Sequence, residues 1–70
     1  MNSYVLQHSL SSGEPVNIIY EAKDGSLSQR LVTVRRMDKK TALVWCHKRE
    51  DIRTMQVVNI LAAEKQKEYA

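Results

Sequence analysis

Arg49 and Arg53 bracket the most charged reversal of the chain, K-R-E-D-I-R, and are the side chains best suited to chemistry. A guanidinium offers a planar fork of donors that can hold a phosphate through two hydrogen bonds. The same arginines could instead pair with Glu50, Asp51 and Asp38, exposed contacts that contribute about 0–1 kcal/mol each. Both readings stay open at this point. Cys46 and His47 are neighbours, and neighbours on a strand point to opposite faces, so they cannot share a metal or a substrate. Further ligands at zinc-like spacing are missing. Cys46 reads as a small core residue, and His47 as a strand-end histidine that either faces solvent or touches a ligand. Trp45 sits in the most apolar stretch and is expected in the core, with a base-stacking platform as the alternative. Tyr20 divides evenly between a half-buried sheet position and a contact residue.

Nothing here assembles a catalytic set. Gly13 and Gly25 lie twelve residues apart and form no phosphate loop, and Asp24, Asp38, Glu50 and Asp51 all fall at turns. No enzyme activity, metal or cofactor is expected. The net charge of +3 is unevenly placed: Arg30, Arg35, Arg36, Lys39, Lys40, Lys48, Arg49 and Arg53 are opposed only by Asp38, Glu50 and Asp51. That segment carries 8 − 3 = +5, so the rest carries 3 − 5 = −2. A basic middle between acidic flanks suits a phosphate-bearing partner, although lysine and arginine also protect strand edges from pairing.

The elements that must position these residues follow from spacing. Residues 3–11 read as a short helix capped by Asn2 or Ser3, with Leu6 and Leu10 on the docking face and Gly13 closing it in a left-handed turn. Pro15 ends any helix, and residues 16–22 alternate as a strand. Asp24-Gly25 marks a tight hairpin, leading to a strand at residues 30–37. Asp38-Lys39 turns the chain into a strand at 41–47, apolar on both faces over residues 42–46; residues 48–51 turn again into a strand at 52–58, with Ile52 and Met55 directed to the core. Residues 60–68 suit strand or helix, and a turn at 58–60 followed by a short strand is preferred.

Turns about every 12 residues between short strands describe an antiparallel meander. The expected fold is a single mainly β domain, a small, strongly bent antiparallel sheet of four or five strands closing into a barrel (residues 15–64), with a short N-terminal helix and a charged tail at 65–70. One cysteine and the absence of a long apolar run or a signal-peptide pattern lead to an expectation of a cytoplasmic protein with no membrane partner.

Three stretches resemble the WYL domain: V-N-I-I-Y-x4-G at residues 16–25, R-L-V-T-V at 30–34 and C-H-K-R-E-D-I-R-T-M at 46–55. The resemblance spans about residues 6–61 and implies a small five-stranded antiparallel SH3/Sm-like barrel with a short N-terminal helix, a bacterial domain of the kind found in transcription regulators, where a basic patch senses nucleic acid or nucleotide ligands. Arg49 and Arg53 fall on two arginines of that patch, with His47 close by. The triplet that names the family is replaced by Lys40, Thr41 and Ala42, a third expected arginine is Asn59, and the flanking domains of that family are not represented. Taken together, the candidate ligand contacts are Arg53, Arg49, His47, Arg35 and Tyr20. The expected function is a small binding or regulatory module for single-stranded nucleic acid or a nucleotide. The alternative is a protein–protein module that adds its barrel edge to a partner or to a second copy.

Overall fold

Short turn motifs set the boundaries of nearly every element. The computed structural model describes residues 3–66. Its elements are α1 (Ser3–Ser12), β1 (Val16–Glu21), β2 (Leu27–Met37), β3 (Thr41–Cys46), β4 (Asp51–Gln56), a 3-10 turn (Val57–Asn59) and β5 (Ile60–Lys65). Gly25 has φ +87°, and Asp24 Oδ1 accepts from both the N–H and the hydroxyl of Ser26. The Gly25 N–H donates to the Ala22 carbonyl and the Ala22 N–H to the Ser26 carbonyl, so pairing resumes at once and β2 starts three residues before Arg30. Asp38 organises the next reversal: its Oδ1 accepts from the N–H groups of Lys40 and Thr41 at 2.8 and 2.7 Å. Those bonds hold its carboxyl below the usual carboxylate range.

The strands form one antiparallel sheet in the order β4-β3-β2-β1-β5. The sheet is open, because β4 and β5 are its two edges and do not pair with each other. It nevertheless curls. Met55 on one edge and Ala63 on the other belong to the same core cluster as Val16, Ile18, Val32 and Val44. Register breaks at Ile19/Tyr20 and at Val34/Arg36 bend it, as β-bulges do.

Helix α1 lies against β2, β5 and β1, and closes with Gly13 at φ +78°. The N-cap expectation for Asn2 or Ser3 lies outside the described side chains. The docking face is Val5, Leu6 and Ser9; Leu10 is 40% exposed and does not dock. A stripe at i and i+4 was the simplest expectation, but the fully buried Ser9 sits there because it is polar. Its hydroxyl donates to the Glu14 carbonyl at 2.7 Å and accepts from the Val34 N–H at 3.0 Å. That N–H lies beside the β2 bulge, where the ladder to β3 is interrupted.

Two expectations about the core are corrected. Ile52 is 50% exposed, because it pairs with Trp45 on the outer face of an edge strand. Trp45 is only partly buried: the core face of β3 is Ala42, Val44 and Cys46, leaving Thr41, Leu43 and Trp45 on the outer face. The uncertain end resolves as strand. Val57 leaves β4 into the 3-10 turn, its side chain buried, and β5 follows. Lys65 still belongs to β5 and lies 5.5 Å above the Tyr4 ring; the remainder of the expected charged tail beyond residue 66 lies outside the described residues.

Candidate functional site

Strand lengths, more than any single motif, create the site. β3 stops at Cys46, paired with Val32, while β2 continues outward through Leu31, Arg30, Gln29 and Ser28 with only β1 beside it. The His47 N–H donates to the Leu31 carbonyl at 3.1 Å and marks the last β2–β3 contact. Past it the chain reverses through His47–Glu50, with Glu50 in the left-handed region at φ +51°. Between this reversal and the overhanging end of β2 lies an open depression of about 540 Å³, lined by Ser28, Gln29, Arg30, Leu31, Cys46, Lys48 and Arg49.

Three cations therefore surround one depression: Arg30, Lys48 and Arg49. Among the described residues the one carboxylate within 4.0 Å of a Lys, Arg or His side-chain nitrogen is that of Glu14, 3.1 Å from His8 Nε2. Neither Arg49 nor Arg53 is satisfied by Glu50, Asp51 or Asp38, which was the alternative reading of the pair. Arg30 Nη1 reaches Cys46 Sγ at 3.9 Å. Burial pushes the Cys46 thiol up, but the Arg49 N–H, the Arg30 guanidinium and the Lys48 N–H outweigh it and hold the thiol below its usual range. The same donors that favour a thiolate favour any anion placed against them. Cys46 itself is fully buried, as a core residue should be.

The expected contact residues separate. Arg49 lines the depression. Tyr20 pairs with Ser28 and so stands at the same end of the sheet, partly buried against the core. Arg53 is opposite Val44 on the core-facing side of β4, yet exposed, because β4 is an edge strand. His47 is exposed on the outer face, where its Nε2 is hydrogen-bonded to Thr33 Oγ1 at 2.7 Å. Arg35 is the bulged residue between Val34 and Arg36, toward the far end of β2. It does not join the others. Arg30 and Lys48 were not singled out from the sequence, although Arg30 shares the parity of Val32 and Val34 and so points to the core-facing side.

Among the described residues no three His, Cys, Asp or Glu side chains cluster as metal ligands, and no helix is long and apolar enough to cross a membrane. Compared with known proteins, the chain matches no family model, no curated protein and no solved structure.

Proposed function

We propose that the protein is a small non-catalytic binding module, WYL-like in its sequence pattern, that takes a phosphate-bearing ligand at the β3–β4 end of its sheet. The ligand class is single-stranded nucleic acid or a nucleotide. The observation that carries this reading is the grouping of Arg30, Lys48 and Arg49 around one open depression, with no carboxylate paired to them among the described residues. Cations that hold no carboxylate among the described residues need break no ion pair when a phosphate arrives, and they raise its local concentration. Tyr20 at the same end supplies an aromatic edge beside the charge.

The test is an NMR titration with a short oligonucleotide, a mononucleotide and inorganic phosphate. Amide shifts at residues 28–31 and 46–49 are expected with at least one of them. Shifts confined to Lys39 and Lys40, at the opposite end of β3, or no shifts at all, would remove this site. A second reading, association through a sheet edge, is favoured by β4: it is an edge strand, and five of its six residues are exposed among the described residues.

A further inference from the structure

We infer that β4 is a self-pairing edge and that two copies of the chain join through it as an antiparallel, two-fold symmetric pair centred on Ile52. This rests on the edge-association reading and is independent of the basic depression.

The free groups come first. Val57 N–H donates to the Lys40 carbonyl, so along the β3–β4 ladder Met55, Arg53 and Asp51 turn their backbone groups toward β3. The alternate residues Ile52, Thr54 and Gln56 then direct their N–H and C=O groups out of the sheet. β4 has no proline, no lysine and no bulge to blunt it, whereas α1 packs beside the other edge, β5.

The pattern of side chains selects the partner. In a continuous sheet, residues directly opposite one another share a face, so a symmetric pair must be centred on a residue of β4. Centring on Asp51 sets that carboxylate against itself and Arg49 against Arg53. Centring on Arg53 sets two guanidinium groups together. Centring on Thr54, Met55 or Gln56 leaves Asp51 and Arg53 without opposite charges. Centring on Ile52 places Asp51 of each copy against Arg53 of the other, twice, by symmetry. Those are non-hydrogen-bonded positions, where Cα atoms approach to about 4.5 Å and side chains are closest. On the outer face the two Ile52 side chains meet between the two Trp45 rings, since Ile52 is the cross-strand partner of Trp45. The half-exposed Ile52 is thereby covered, and the edge charges that ordinarily repel a foreign strand become the specificity of a homotypic one. The ladder is short because Glu50, at φ +51°, leaves the extended region, so the pair dissociates on dilution.

Sedimentation velocity on the full chain up to about 1 mM reads the equilibrium. A concentration-dependent dimer is expected. Asp51→Arg and Arg53→Asp, each of which brings like charges together, should weaken it at least tenfold. The double variant should return to within about threefold of wild type, because the exchanged charges again face each other. Ile52→Lys should be monomeric, and thermal melts of all four variants check that the monomer stays folded. A wild type that remains monomeric throughout overturns both the dimer and self-association by any edge. A dimer that the double variant does not restore overturns this register while leaving edge association in place. Neither outcome touches the binding of phosphate ligands, which is read separately.

Discussion

At the scale of single residues, the most exposed conclusions concern positions where backbone or burial leaves one explanation. Gly25 has φ +87° with nothing within 4 Å of a would-be Cβ, so space is not what a side chain would violate there. Gly25→Ala is expected to cost about 1 kcal/mol through backbone strain alone, read as a lower midpoint in urea. An unchanged midpoint would mean the turn relaxes freely. Trp45 teaches a different lesson. A tryptophan in the most apolar run looks like core, but strand parity gives the core face to Ala42, Val44 and Cys46. Trp45→Ala should therefore cost only about 1–3 kcal/mol and leave a folded protein. Complete unfolding of that variant at room temperature would contradict its outer-face position.

At the scale of elements, hydrogen bonds to side chains hold the pieces in place. Ser9 joins α1 to the β2 bulge, and Ser9→Ala would leave the Val34 N–H without its acceptor. That should cost about 1–3 kcal/mol, more than the loss of one exposed hydroxyl could explain. Hydrogen exchange at Val34 should accelerate together with the amides of α1, and acceleration at Val34 alone would show that the helix docks without this bond. The two aspartate turns give a pH signature. Backbone and hydroxyl donors hold the carboxyls of Asp24 and Asp38 below their ordinary value of 3.8. A lowered folded-state pKa contributes stability that is present above about pH 4 and is lost as pH falls through the lowered value. Wild type should lose melting temperature as pH falls below about 4, and Asp38→Asn should lose less over the same interval. Equal losses would assign the acid sensitivity elsewhere.

At the scale of the whole molecule, the sequence was most legible where local chemistry decides the outcome. Asp24-Gly25, Asp38 and Pro15 punctuate the chain, and the five strands with one helix follow from them. Closure of the sheet was not legible, because whether β4 meets β5 depends on how far two bulges bend the strands between them. The site was half legible for the same reason. Arg49 was found from its motif, but Arg30 joins it only because β2 overhangs β3, a length difference set by hairpin geometry rather than by either residue. Arg35 and His47, close in sequence to the basic cluster, are carried away from it by a bulge and by strand parity.

The binding of a labelled single strand, followed by fluorescence anisotropy at two salt concentrations, tests the phosphate-binding reading most directly. Wild type should bind, and its affinity should fall steeply as salt rises. Arg30→Ala and Arg49→Ala should each weaken binding by about 1–3 kcal/mol and lower the slope of log K against log salt by about one, with melting temperature nearly unchanged. No binding by the wild type at low salt, or equal binding by wild type and both variants, would contradict a nucleic-acid contact at the β3–β4 end of the sheet.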